Sequence, residues 1–285
     1  MESGFGQVSI VGAGLLGASL GLALKQRGLA ARVHGIGRRQ CSLDTAFASG
    51  AIDSGYTALE EGIAGADLIV LATPVHQATE MLEAVRDAAP PHAVITDVGS
   101  TKEALCRHAA QVWSAPRPFV GSHPMAGSEK FGPEHARADL YEGAVCLVEA
   151  SDELAAEARA VVCRLWEAVG ARVVDIDPAQ HDCLLARTSH VPHVASAALA
   201  RLADTEEIVP ELIGNGFRDT TRIAAGRPEL WREICLSNRE AVLAGMMALQ
   251  DDIAAFAAVL ESGDEAAVDA FFEAGRAARQ RLCGP

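Results

Sequence analysis

The run Gly12-Ala13-Gly14-Leu15-Leu16-Gly17 limits this chain more than any other feature, because it sits between a short apolar stretch at 7–11 and an amphipathic one ending near Arg27. The first glycine permits a tight strand-to-helix turn. The second leaves the backbone open to an approaching group, and the third lets helix and strand pack closely. The helix that opens here offers unpaired N–H groups and the positive end of its dipole to a phosphate. GxGxxG alone is weak evidence. In this strand–helix setting it predicts a dinucleotide-binding unit with Gly12, Gly14, Leu15, Leu16 and Gly17 around the pyrophosphate. The alternative is a glycine-rich turn without a ligand.

The second strand, Ala31 to Ile36, runs into Gly37-Arg38-Arg39. A fold of this kind that prefers NAD usually carries an Asp or Glu near this point, for the ribose 2′-hydroxyl. No acidic residue stands between Glu2 and Asp44, and two arginines occupy the place. A 2′-phosphate would meet Arg38 or Arg39 and no repelling carboxylate, so NADP is expected over NAD. Solvated loop charge is the alternative.

Ala66 to Thr73 is a continuous apolar run, expected of a strand buried on both faces, and its end at Thr73-Pro74 should lie beside the cofactor. Further strands are read at 93–96, 118–120, 145–148 and 172–176, with a helix from Asp152 to about Val169. This alternation predicts a Rossmann-like, doubly wound, mostly parallel sheet. Ser100, in Asp97-Val98-Gly99-Ser100-Thr101-Lys102, stands at a strand-to-helix turn. It reads as a helix N-cap or as a donor to a reacting group.

After Asp177-Pro178 no strand-like run appears, so an α/β domain at 1–177 is expected to precede an all-α domain at 178–285. A long helix over 179–203 carries His181, His190 and His193, and Pro192 should kink it. His190 and His193 share a face, but no third ligand stands at helical spacing, so no metal is expected. Gly214 to Arg222 reads as a loop, 228–261 as one long helix and 264–282 as a last one. An alanine-rich helical half of this type suits dimerisation.

A net charge of −14 argues against nucleic acid or an anionic membrane as partner, though local arginines can still hold an anionic substrate. Seven cysteines without a CxxC pair read as reduced thiols in a cytoplasm. No secretory signal pattern is evident at the N-terminus, and no apolar run reads as long enough to span a bilayer.

The stretch from Val120 to Glu129, VGSHPMAGSE, brings His123 into a bend rich in Gly, Pro and Ser just past an apolar run. Imidazole is the side chain best suited to move a proton near neutral pH. On these residues alone, a base and a histidine that merely caps the backbone stay equally open.

Taken together, GAGLLG, TDVGSTK, GSHPMAGSEKFG, HD followed by SHVPH, and GFRDTTRIA with Trp231 downstream resemble the prephenate/arogenate dehydrogenase family across about residues 8–261. The histidine and GFRDTTR segments are far more specific than the dinucleotide motif. The resemblance implies a hydride transfer from a cyclohexadienol bearing two carboxylates, prephenate or arogenate, followed by loss of carbon dioxide. It implies that His123 takes the hydroxyl proton and that Ser100 bonds near that histidine and the nicotinamide. It further implies that His193 and Arg222 hold carboxylates and that Ser128 and Glu129 line the pocket mouth. Asp182 or Glu129 would favour an ammonium, and hence arogenate, unless both are solvated. No chorismate mutase segment is expected before residue 1, and no regulatory domain after Leu282. A β-hydroxyacid dehydrogenase joins similar halves but relies on a lysine in the helical one, whereas Lys25, Lys102 and Lys130 all precede it. A non-catalytic NADP sensor would need neither His123 nor Arg222.

Overall fold

The apolar runs of the first half become strands covered on both faces, as their lack of alternation requires. The computed structural model describes residues 4–127, 130–205 and 208–284. It runs through β1 (Phe5–Val11), α1 (Leu15–Gln26), β2 (Ala30–Ile36), α2 (Gln40–Ala48), β3 (Ser54–Tyr56), α3 (Leu59–Ile63), β4 (Leu68–Leu71), α4 (Val75–Glu80), α5 (Leu82–Ala88), β5 (Val94–Asp97), α6 (Glu103–Val112) and β6 (Phe119–Val120). These six strands form one parallel sheet in the order β3-β2-β1-β4-β5-β6. The order reverses between β1 and β4, and a crevice forms at such a point beyond the strand C-termini. Alternate residues feed two cores. Val8, Ile10, Leu68 and Val70 enter one, while Val11, Ile69, Leu71 and Ile95 enter the other. Truncating one of these to alanine typically costs about 2–5 kcal/mol.

A second, three-stranded sheet follows, built from β7 (Ser122–Pro124), β8 (Val145–Glu149) and, after α7 (Ala156–Ala168), β9 (Arg172–Ile176). β7 pairs antiparallel with β8, which pairs parallel with β9. His123 therefore stands within a strand, opposite Leu147, and not in a free loop. A buried pair of Arg117 and Glu149 ties this sheet to β6. Glu149 also accepts the Gly121 N–H at 3.0 Å, and Arg117 donates to the Phe119 carbonyl at 2.8 Å.

The helical segment starts at α8 (Pro178–Leu185), where the Asp177 side chain accepts the Ala179 and Gln180 N–H groups as an N-cap. A π turn at Ala186–His190 leads into α9 (Val191–Ala203). Widening of the helix just before Pro192 accommodates a residue that has no N–H to donate. Next come α10 (Val209–Leu212), α11 (Asn215–Thr221), a 3₁₀ turn at Arg222–Ala225 and α12 (Pro228–Ser237). The supposed loop at 214–222 is thus mostly helical. Gly214 acts as its extended N-cap, and Thr220 and Thr221 return hydroxyl bonds to the carbonyls four residues back.

Two compact units part at Asn238 and Arg239, so the long helix expected over 228–261 is two helices. The 177/178 boundary lies between β9 and α8, inside the first unit. The second unit holds α13 (Arg239–Ser262) and α14 (Glu265–Cys283), with Phe256 stacked on Phe271 at 4.4 Å between ring centres. Contrary to the sequence reading, α13 is long and apolar enough to cross a membrane, with a mean hydropathy of 1.5. Alanine and leucine outweigh Asp251 and Asp252 within this helix.

Candidate active site

Glycine builds the first recess. Gly12 has φ +107°, and Gly17 lies so close to the Gly12 carbonyl that no side chain fits between them. A Cβ on Gly14 would meet nothing within 4 Å. The start of α1 carries no side-chain cap, which leaves its first N–H groups for a ligand. Around this loop lies a cavity of 700 Å³. Gly12, Gly14, Leu15, Arg38, Arg39, Thr73 and Pro74 all line it, whereas Leu16 and Gly17 do not. No carboxylate is among its lining residues within the described part of the chain, and Arg227 joins them at 4.6 Å over the Phe131 ring. Thr73 Oγ1 is buried without a hydrogen-bond partner, so it can bond a polar group of a ligand there. The glycine cradle, open helix start, arginines and orphaned hydroxyl fit a nicotinamide dinucleotide.

A second cavity, of 640 Å³, is lined by Ser100, His123, Met125, His190, His193 and Trp231, among others. It brings Ser100 and His123 from the first half against His193 from the second. A third cavity shares Pro74, Gln77 and Arg227 with the cradle and Leu230 with the histidine cavity. His193 stacks on Trp231 with ring centres 3.4 Å apart, and its Nδ1 lies 3.1 Å from the Ser189 carbonyl. Arg222 opens the 3₁₀ turn after α11 and is exposed outside the lining, yet its charge reaches His193. Burial holds that imidazole below its ordinary range; the Ser189 carbonyl opposes this and Arg222 adds to it. Ser128 and Glu129 lie outside the described residues.

His123 is 8% exposed, and burial drives its imidazole well below the usual value, helped by the charges of His181, Lys102 and His190. It is therefore neutral at pH 7. Its Nδ1 lies 2.9 Å from His181 Nε2, and His181 Nδ1 lies 2.8 Å from Asp182 Oδ1. The strand beneath is pinned by Ser122. Its N–H donates to Asp97 at 3.0 Å, and its hydroxyl accepts the Trp166 indole N–H at 3.0 Å. Asp97 pairs with buried Lys102.

Asp182 corrects two expectations. It is 1% exposed and so is neither solvated nor open to a substrate ammonium. It also caps α6, accepting the Lys102 N–H at 2.8 Å and the Glu103 N–H at 3.0 Å, so Ser100 is not that helix's cap. His190 is buried, with Nδ1 3.2 Å from the Asn238 amide nitrogen, and the same nitrogen donates to the Asp182 carbonyl at 2.7 Å. Sequence reasoning assigned no role to His181, Asn238 or Arg227. The adjacent His181-Asp182 doublet at the start of a helix was the available signal.

Comparisons with known proteins identify the family. A family model described as prephenate dehydrogenase, nucleotide-binding domain, matches residues 20–175, and one described as the dimerization domain of the same enzyme matches residues 177–274. The chain is similar to the prephenate dehydrogenase of Bacillus subtilis, at 34% identity over 241 residues, 83% of this chain and 65% of that protein. The chain thus spans 65% of the Bacillus relative's length. It is 32% identical over 283 residues to the prephenate dehydrogenase of Lactococcus lactis, covering 97% of this chain and 77% of the relative. Among solved structures it is similar to prephenate dehydrogenase from Aquifex aeolicus in complex with hydroxyphenyl propionate and NAD+. The TM-score is 0.90 and the identity 28%, over 99% of this chain and 100% of that one.

Proposed function

The chain belongs to the prephenate dehydrogenase family of NAD(P)-dependent oxidoreductases, and from that footing we propose that it oxidises and decarboxylates prephenate to 4-hydroxyphenylpyruvate for tyrosine biosynthesis. The observation that carries this reading is a buried, neutral His123 facing the same cavity as Ser100 and His193, beside a glycine cradle. The Gly12–Gly17 loop would hold the pyrophosphate, and Thr73 and Pro74, which line the same cradle, would bind the cofactor. A bound nicotinamide would supply the acceptor for the hydride that leaves the carbinol carbon. His123 takes the hydroxyl proton, and Ser100 orients the oxygen that loses it. The electron pair of the breaking carbon–carbon bond then enters the ring as carbon dioxide departs, and aromatisation makes the step irreversible. His193 and Arg222 hold the carboxylates, with Ser128 and Glu129 assigned to the mouth. The proposed boundary at 177/178 puts the glycine cradle before it and His193 and Arg222 after it, with Arg227 of the second part also lining the cradle.

NADP is proposed over NAD because Arg38 and Arg39 line a cradle that has no lining carboxylate among the described residues. Prephenate is preferred to arogenate because Asp182 is buried and committed to His181 and α6. A homodimer through the C-terminal helices suits α13 and α14, where Leu243, Met247, Ile253 and Phe272 are exposed. A cytoplasmic setting follows from the reduced thiols and the biosynthetic role.

A spectrophotometric assay crossing prephenate and arogenate with NAD and NADP tests the reading. Fastest turnover is expected with prephenate and NADP, and no turnover of either ring refutes it. His123→Asn should lose roughly 10²–10⁴ in kcat while keeping cofactor affinity.

A further inference from the structure

The side chains of His123, His181 and Asp182 form an unbroken buried line, 2.9 Å and then 2.8 Å between heteroatoms. All three are at most 8% exposed. The proposed reaction needs His123 to present a bare nitrogen to the substrate hydroxyl, and a neutral imidazole has only one. Which nitrogen is bare is set by the partner of the other.

The far end of the line decides the matter. Both oxygens of Asp182 already accept backbone N–H groups from the first turn of α6. A carboxylate at a helix N-terminus, accepting on both oxygens, has no hydrogen to offer His181. His181 Nδ1 must therefore carry the hydrogen and donate it to Asp182 Oδ1. That leaves His181 Nε2 with a lone pair, which accepts from His123 Nδ1–H. His123 Nε2 is then the bare nitrogen, on the side away from His181.

We infer that His181 and Asp182 are positioning residues that lock His123 into the Nδ1–H tautomer, so that its Nε2 takes the proton of the substrate hydroxyl. The proton moves from the hydroxyl oxygen to His123 Nε2. The resulting imidazolium keeps its Nδ1–H donated to His181 and afterwards releases the Nε2 proton to water. Lys102 and His190 also face His123 and disfavour its charged form, so the line to Asp182 supplies the compensating acceptor. Because Asp182 also caps α6 just after the turn bearing Ser100, one carboxylate fixes both the base and the neighbouring hydroxyl segment. This inference rests on the proposed reading of His123 as the base.

The test is nitrogen-15 correlation spectroscopy of the histidine side chains in the full-length protein, with and without NADP, beside steady-state kinetics. In the wild type His123 should appear as the Nδ1–H tautomer. Asp182→Asn keeps an oxygen for the Glu103 N–H but turns its amide hydrogens toward His181, at the cost of the acceptor for the Lys102 N–H. That reverses both tautomers and puts a hydrogen on His123 Nε2. The expected result is kcat lower by roughly 10²–10⁴-fold, with KM for both substrates within about threefold. His181→Phe, which leaves the cap intact, should give His123 as a mixture of tautomers and an intermediate loss in kcat. A wild-type His123 in the Nε2–H form, or Asp182→Asn with near-normal kcat and an unchanged His123 signal, overturns the inference. The spectra need no turnover, so absence of activity on prephenate refutes the functional reading while the tautomers still decide this one.

Discussion

Two glycines, two and five residues on from Gly12 in the same loop, should fail in opposite ways, and the structure fixes how. An alanine at Gly17 would push its Cβ into the Gly12 carbonyl oxygen and to 2.9 Å from Ile10 Cγ2. The first obstacle is backbone, which cannot swing aside, so the cost sits near the upper end of overpacking, about 3 kcal/mol. Alanine recovers about 1 kcal/mol through its better helix propensity. The net loss of about 2 kcal/mol corresponds to about 4–8 °C in Tm for a unit of this size. An alanine at Gly14 meets nothing within 4 Å and suits that residue's φ of −87°. Its only folding cost is a poorer N-cap, at most about 1 kcal/mol, or about 2–4 °C. Its methyl group, however, stands where a pyrophosphate approaches, so the Kd for NADP should rise at least about tenfold. Thermal melts and cofactor fluorescence titrations of the two variants test this. A Gly14→Ala variant that binds NADP and NAD as the wild type does, or a Gly17→Ala variant that melts like it, refutes the reasoning.

Replacing Arg38 and Arg39 together by alanine should raise KM for NADP by roughly 10- to 100-fold and change that for NAD by less than about threefold; an equal loss for both cofactors removes the arginines from the 2′-phosphate. Arg222→Ala should mainly raise KM for prephenate, and an unchanged KM takes Arg222 out of carboxylate binding. Burial depresses His190 to about 4, so the unfolded chain binds more protons than the native one between pH 6.5 and 4. Stability should be full above pH 6.5 and fall as pH drops, by about 2 kcal/mol at pH 5 from His190 alone. Urea titrations at pH 7.5 and 5 should show that slope diminished in His190→Gln, and an identical slope contradicts it.

Local signals carried most of what could be read in the sequence. GAGLLG needs only its flanking strand and helix to be recognised, and β9 is where its apolar run lies, at Arg172–Ile176. β3 is three residues long with Gly55 at its centre, too short for a periodicity to register. The strand holding His123 was hidden because its pairing with β8 is non-local and Gly121 and Pro124 imitate a turn. Gly214 and Gly216 likewise disguised α11, whose helical shape follows from tertiary context over propensity. Asp182 looked solvated because charge is normally outside. Its burial depends on two amide groups about eighty residues away, which no window on the sequence joins. Arg222 was read as part of a substrate grip from its motif alone; its side chain is exposed, outside the described cavity lining, and its charge reaches His193.

Asp182 also has a bearing on how this chain can be dissected. The two family matches abut near residue 176, which invites cutting the gene there and expressing the halves separately. A fragment ending at that seam would keep every strand but strand the opening turn of α6 without its acceptor and leave His123 facing a hole. The seam between the matches is therefore a poor place to break the polypeptide, since the nucleotide half borrows a keystone from the other.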